Sequence, residues 1–494
     1  MRHPRTIDAR RILVGLSVLA VGLTGAAARA GAPLRMGRLP AVEAAIDGVS
    51  GEVLRVEMPV PENPSRDSGR QVTLAALVLR ATESKRPAEP VFVFQGGPGQ
   101  GATDLAAFYA RFFAPLRARH DIVLMDQRGT GGSHPLTPSV APEHLLDDLG
   151  AVAPASWVAP MREGLRDTVD LAQYTTRRIV DDAARLIEAL GYSRVNLYGT
   201  SYGTRCAQVF MRRYPGRVRA AVLKNVLPMS AVIPLSYAAN AQRALDLMLA
   251  DVAADSAARA SYPGLGRTLT GLLDRLAATP ARVTVKNPAT GRAQEIELTR
   301  RGVAMTIRTM LMSPQSRAAI PYLIDRAASG SFDELAAQMV QVRVAYARTL
   351  ALGMAISVLA SEDTPRITAA GIARDTTGSF LGDAAAADLR DACASWPHRV
   401  ERPGFFEPVH VKTPTLLISG WLDPATPPAW GDEVARGLPN SAHAVFRYAA
   451  HPNAGFLGLE DLVAAFVERG SVRGLDFSCA DRGATAPFEL PVRE

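Results

Sequence analysis

Short runs at 91–94, 122–125, 195–198, 220–223, 416–419 and 444–448 are apolar at nearly every position. Runs apolar on both faces belong inside a parallel sheet that helices cover from either side. Residues 179–190 have helical periodicity instead, end at Gly191 and lead into the run at 195. Ahead of all these, 53–58 and 72–80 flank a turn-rich stretch and predict an antiparallel hairpin. The strand rhythm stops after Leu223 and resumes at Leu416. Between about 228 and 410 the pattern is mostly alanine-rich helix, as at 238–251, 266–278 and 332–350, with one possible hairpin at 283–298. The chain therefore predicts an α/β fold, a mostly parallel, doubly wound sheet interrupted by a helical lid domain. The expected division is 31–227 and 411–494 for the sheet domain and 228–410 for the insert.

Composition changes little in this picture. Of 494 residues, 48% are apolar and 21% charged, as in a soluble globular chain. The first 30 residues differ. Arg2, Arg5, Arg10 and Arg11 precede an apolar run at 12–23, and Ala28-Arg29-Ala30 supplies small residues for a cut before Gly31. The apolar run is shorter than the ~20 residues of a spanning helix, so 1–30 reads as a secretory signal rather than a stable membrane anchor. A secreted or periplasmic location follows. Without that segment the formal charge falls from +7 to +3, and no Lys/Arg cluster interleaved with aromatics suggests a nucleic-acid partner. Cys206, Cys393 and Cys479 lack metal-ligand spacing, so no metal is expected. In an oxidising compartment Cys393 and Cys479 are candidates for pairing, which leaves Cys206 as a small apolar residue.

Candidate chemistry begins at 199–203, Gly-Thr-Ser-Tyr-Gly, placed directly between an apolar strand and a helical segment. A serine on a sharp strand-to-helix turn takes strained dihedrals, and its flanks must be glycine or small. Ser201 is the candidate nucleophile. The amide of Tyr202, at the start of a helix, is placed to stabilise an oxyanion. Serine needs a base, and the base needs an orienting acid. Asp423 follows the run at 416–419 and His451 follows the run at 444–448, both as strand-end loop residues. The chain order Ser201, Asp423, His451 is that of α/β-hydrolases. Read blandly, Asp423 caps a helix and His451 sits in a surface loop.

The loop Gln95-Gly-Gly-Pro-Gly-Gln-Gly101 offers amides of Gly96 or Gly97 as second oxyanion donors. It also imitates a dinucleotide fingerprint, with Asp126 as the ribose-binding acid. Pro98 counts against that reading because it lacks an N–H and fixes φ. Arg128 beside Asp126 suggests a structural ion pair instead.

Together, 95–99 (Gln-Gly-Gly-Pro-Gly), 126–133 (Asp-Gln-Arg-Gly-Thr-Gly-Gly-Ser), 199–203 and 420–427 (Gly-Trp-Leu-Asp-Pro-Ala-Thr-Pro) resemble the prolyl aminopeptidase family. The closer likeness is to its secreted branch, the tripeptidyl aminopeptidase-like α/β-hydrolases. The resemblance implies Ser201 as nucleophile, Asp423 as acid, His451 as base, and an oxyanion hole from Gly97 and Tyr202. It implies a cofactor-free enzyme acting on short peptides with a free amino terminus. It also implies that acidic lid residues bind that terminus; within Ser361-Glu362-Asp363, Glu362 is the candidate and Asp363 its neighbour. Gln95 stands where the family commonly has histidine. The expectation is a serine aminopeptidase, with an esterase using the same triad as the alternative. A non-catalytic binding protein or a dinucleotide-binding protein ranks lower.

Overall fold

The apolar runs form the centre of a 10-stranded sheet. The computed structural model describes residues 34–491 apart from 67–68, 85–86 and 452–453, so the expected signal at 1–30 lies outside the described residues. The chain enters through β1 (Arg35–Met36), β2 (Leu39–Glu43), β3 (Val53–Pro61) and β4 (Gln71–Leu79). It continues through β5 (Ala88–Phe94), β6 (His120–Met125), β7 (Val195–Thr200) and β8 (Val218–Lys224). A long insert contributes the separate hairpin β9 (Ala281–Lys286) and β10 (Ala293–Leu298). The chain then returns as β11 (Thr415–Gly420) and β12 (Ser441–Phe446). The sheet order is β1-β2-β3-β4-β6-β5-β7-β8-β11-β12. The strands up to β4 pair antiparallel, β4 runs antiparallel to β6, and every pair from β6 to β12 is parallel.

Burial explains the division. Every residue of β6 and of β11 is buried, whereas β3 alternates buried with exposed positions and leaves one face to solvent. Among the helices that follow the strands, α1 (Ala106–Phe112) packs on one face, while α2 (Ala155–Leu165), α3 (Thr176–Ala189) and α4 (Tyr202–Arg213) pack on the other. In α3 the buried Ile179, Val180, Ala183, Leu186 and Ile187 recur at helical spacing along one stripe, and the chain turns off at Gly191.

The insert contains α5 (Ile233–Ala254), α6 (Ser256–Ser261), α7 (Leu265–Ala278), α8 (Arg300–Met310), α9 (Pro314–Ala328), α10 (Asp333–Thr349), α11 (Leu352–Glu362), α12 (Ala369–Thr376) and α13 (Ala384–Ala394). It does not pack as one body. Residues of α5 to α10 share a core of their own, whereas α11, buried throughout, joins the core beneath the sheet with Leu389 and Cys393 of α13, whose Ala385 faces the insert core. Two last helices, α14 (Pro428–Ala435) and α15 (Leu459–Arg469), follow β11 and β12.

The cysteine pairing anticipated from composition does not form. All three cysteines are free and buried. Cys393 lies in the core on one side of the sheet with Trp396, and Cys479 lies in the core on the other side with Phe446 and Phe466. The sheet separates them.

The sheet also fixes where chemistry can occur. Because β5 sits between β6 and β7, the chain leaves β5 to one side and returns on the other, which opens a crevice at the strands' carboxyl ends. Pairing of Phe94 with Gly199 sets the loop after β5 beside the turn after β7.

Candidate active site

Ser201 joins β7 to α4 with φ 54° and ψ −125°, outside the regions an L-residue ordinarily occupies. Such a conformation costs of order 1–3 kcal/mol and persists only where the surroundings hold it. Here they do. A Cβ on Gly203 would lie 2.0 Å from the Phe94 carbonyl oxygen, and one on Gly199 would lie 2.7 Å from that of Gly203. Only glycine lets α4 approach β5 this closely.

His451 reaches Ser201 from the loop after β12. Its Nε2 is 3.0 Å from Ser201 Oγ, and its Nδ1 is 2.9 Å and 3.1 Å from the two carboxylate oxygens of Asp423. Asp423 also accepts hydrogen bonds from the amides of Ala425 (2.7 Å) and Thr426 (2.9 Å), the Thr426 hydroxyl (2.7 Å) and the Asn225 side-chain amide (2.7 Å). Complete burial by itself would raise the pKa of this carboxyl. The facing His451 and the Thr426 donors outweigh that effect and hold it at about 2. An ionised Asp423 only accepts, so Nδ1–H of His451 donates to it and Nε2 is left to accept the Ser201 proton. Ser201, His451 and Asp423 thus stand in hydrogen-bonding contact in that order.

Sequence reasoning did not find the residues behind Asp423. Asn225, just past β8 at φ 55°, donates to Asp423, and its side-chain oxygen accepts from Lys224 Nζ at 2.6 Å. Lys224 is buried with its ammonium 4.3 Å from the centre of the Phe456 ring. Burial lowers its pKa to about 7, against the pull of Asp423. The signal was present as a polar Lys-Asn pair ending an apolar strand. The amide of His451 donates to the Met312 carbonyl at 3.0 Å, so the insert touches the loop that carries His451 directly.

The loop after β5 lies against Ser201. A Cβ on Gly96 would fall 3.0 Å from that of Ser201, and among the described residues no acceptor meets the Gly97 or Tyr202 amide. Gln95 fixes the loop: its side-chain amide donates to Gln100 at 2.5 Å, its carbonyl oxygen accepts from the Gln127 side chain at 2.8 Å, and its side-chain oxygen accepts from the Tyr109 hydroxyl. Asp126 does the same from below, accepting from the Thr103 amide (2.9 Å), the Thr103 hydroxyl (2.6 Å) and the Gly132 amide (2.7 Å). Its carboxylate is therefore occupied in holding two loops together, which removes the ribose-binding acid of the dinucleotide reading. Arg128 does not pair with Asp126. It turns to Asp182, with contacts of 2.7 Å and 2.9 Å.

Glu362 and Asp363, expected to bind a substrate amine, lie elsewhere. Both are fully buried. Glu362 accepts from the Thr176 amide at 2.7 Å and the Thr176 hydroxyl at 2.8 Å, while Asp363 accepts from Arg205 at 2.9 Å and 3.2 Å and from the Ile233 amide at 3.0 Å. Burial raises the Glu362 pKa to about 7, partly opposed by Arg205. Neither residue lines the cavity above Ser201. An acidic pair in sequence signals a surface turn; here buried arginine and threonine partners draw it inward.

That cavity encloses about 1050 Å³ between the strand ends and the insert. Ser201 and His451 form its floor with the Gly96–Gly97 loop, and Met305, Arg308 and Thr309 of α8 line it from the insert. Glu489 is the one carboxylate among the described lining residues.

Comparison with known proteins agrees with this architecture. The family model described as alpha/beta hydrolase fold matches residues 89–454. The serine protease Hip1 of Mycobacterium tuberculosis is 24% identical over 435 residues, 80% of each chain. A proline iminopeptidase of Xylella fastidiosa is 28% identical over 138 residues, 28% of this chain and 32% of its own. Among solved structures, the proline iminopeptidase of Mycobacterium smegmatis aligns over 84% of this chain and 98% of its own, with 18% identity and a TM-score of 0.40.

Proposed function

This chain belongs to the alpha/beta hydrolase fold family, and we propose that it is a serine peptidase that removes residues from short peptides through an acyl-enzyme. The observation that carries the reading is the unbroken contact chain from Ser201 through His451 to Asp423, at 3.0 Å and 2.9 Å. In this reading Ser201 attacks the carbonyl as His451 takes its proton. The imidazolium, held by Asp423, then passes the proton to the leaving amine, and water activated by the same histidine releases the acyl group. The amides of Gly97 and Tyr202, with Gly96 beside them, stabilise the oxyanion. Peptide substrates are favoured by the likeness to a serine protease and to proline iminopeptidases. Action on short peptides is favoured by a cavity roofed by the insert. Recognition of a free amino terminus passes to Glu489 in this proposal, since Glu362 and Asp363 are engaged elsewhere. Export is part of the same proposal and rests on the sequence of residues 1–30.

Because the expected amine-binding carboxylates are occupied, an esterase with the same triad is the second reading. Fluorophosphonate labelling should mark Ser201, and Ser201→Ala should abolish both labelling and turnover, lowering kcat by about 10⁴-fold or more. Turnover of aminoacyl or tripeptidyl arylamides, lost on acetylating their amino terminus, supports the peptidase. Turnover of acyl esters alone selects the esterase.

A further inference from the structure

Among the described residues, the buried arginines have hydrogen-bond or ion-pair partners, with one exception. Arg128 pairs with Asp182, Arg205 with Asp363 and Arg317 with Asp251, while Arg117 and Arg343 donate to backbone carbonyls. Arg308 is 5% exposed and, among the described residues, donates no hydrogen bond and forms no ion pair. Its guanidinium carbon stands over the Tyr237 ring, 3.9 Å from the ring centre. Stacking fixes the plane of the guanidinium and uses only its face, so the N–H groups along its edges stay available to a planar acceptor.

Position gives this residue meaning. Arg308 lines the cavity that contains Ser201 and His451, and it lies on the same helical face as Met305 and Thr309. Four residues on, the Met312 carbonyl holds the His451 amide, so one stretch of insert fixes both the histidine and the guanidinium. Burial pulls the Arg308 pKa down, opposed in part by Tyr237 and Asp423. The Asp423 oxygens, however, are taken by His451, Thr426, Ala425 and Asn225. A cation removed from water without a counter-ion is costly, and a fold retains one where a ligand supplies the missing charge.

We propose that Arg308 determines the specificity of this site by binding a carboxylate on the substrate while Ser201 attacks a carbonyl within the same short molecule. A planar carboxylate matches the guanidinium edge in a two-pronged contact. For a peptide, that carboxylate is either an acidic side chain or the C-terminus. This inference rests on the serine-hydrolase reading above.

Matched substrates test it. Tripeptidyl arylamides differing only as Glu against Gln probe the side-chain source, and tripeptides with free against amidated C-termini probe the terminal one. We expect the wild type to favour the carboxylate member of one pair by roughly 10- to 100-fold in kcat/KM, mostly through KM. In Arg308→Met that ratio should fall to about one, with Arg308→Lys in between. Equal losses on both members of a pair, or no preference in the wild type, overturns the proposal. Stability provides a second readout that does not depend on turnover. Glutarate should raise the thermal midpoint of the wild type and leave that of Arg308→Met unmoved; equal responses count against the assignment. Fluorophosphonate labelling separates the two readings. An unlabelled wild type sinks the serine hydrolase itself, whereas normal labelling without charge preference sinks only the role of Arg308.

Discussion

Asn225 joins two charges. Its amide donates to Asp423 while its oxygen accepts from Lys224, so it keeps a buried carboxylate oriented toward His451 without placing a second charge against it. Asn225→Gly keeps the left-handed backbone and removes the bridge; kcat should fall about 10-fold with little change in KM, measured on any substrate the wild type accepts. An unchanged kcat would mean that Thr426 and the loop amides orient Asp423 unaided. Glu362 supplies a different test. Its pKa is raised from 4.5 to about 7, so between those values the folded chain keeps a proton that the unfolded chain has released. Stability must therefore fall as pH rises through that window, by up to about 3 kcal/mol, and the contribution is constant above it. Glu362→Gln does not titrate there. The wild type should accordingly lose stability relative to this variant between pH 5 and pH 8 in urea unfolding, and an equal difference at both values would refute the assignment.

The elbow is an element whose requirements are sharper than any side-chain contact. Gly203→Ala would drive a methyl group to 2.0 Å from the Phe94 carbonyl, so α4 must withdraw from β5 and carry Ser201 with it. We expect a loss of about 3 kcal/mol or more and no fluorophosphonate labelling. Gly164, within α2 and with nothing inside 4 Å of an added Cβ, is the control. There alanine should be neutral or stabilising, by up to about 1 kcal/mol, through helix propensity. The same contrast explains what could be read from sequence. The strands at 91–94, 195–198 and 416–419 were legible because central parallel strands are apolar throughout, and Ser201 and Asp423 stood out because they follow two of them; His451 follows β12, which is only partly buried. The insert was legible only as helix. Its split, with α11 given to the main core, depends on which apolar faces meet, and periodicity does not encode that. Likewise Glu362 and Asp363 were misplaced because a charged pair does not announce the arginine that will neutralise it.

At the scale of the molecule, several hydrogen bonds tie the insert to the sheet domain around the cavity, among them Ala351 to Gly99 and Asn240 to Ala425, and two further ties lie at its wall. One is the hydrogen bond from the His451 amide to Met312. The other is the segment from 484 to 491, which leaves the sheet domain and meets the insert at Phe488 and Glu489. The Tyr262 hydroxyl donates to the Glu489 carbonyl at 2.5 Å, the Glu489 amide donates to Ala318 at 3.1 Å, and Arg317 stands 5.8 Å from the Phe488 ring centre. Ala486, Pro487 and Glu489 also line the cavity, so this segment closes part of its wall. Ending the chain at Gly483 removes these contacts and strands the Tyr262 hydroxyl, at a cost of about 2 kcal/mol. The loss should be local. Hydrogen exchange should quicken in α6, in α9 and at the His451 amide, whereas the amides of β5 to β8 should keep their protection, because the parallel strands make no use of this segment. Labelling of Ser201 should persist, since the triad itself remains. Slower release of bound glutarate from the full chain than from the shortened one would show the segment retaining ligand. If His451 and the insert exchange at the same rate in both chains, this segment does not hold the roof in place.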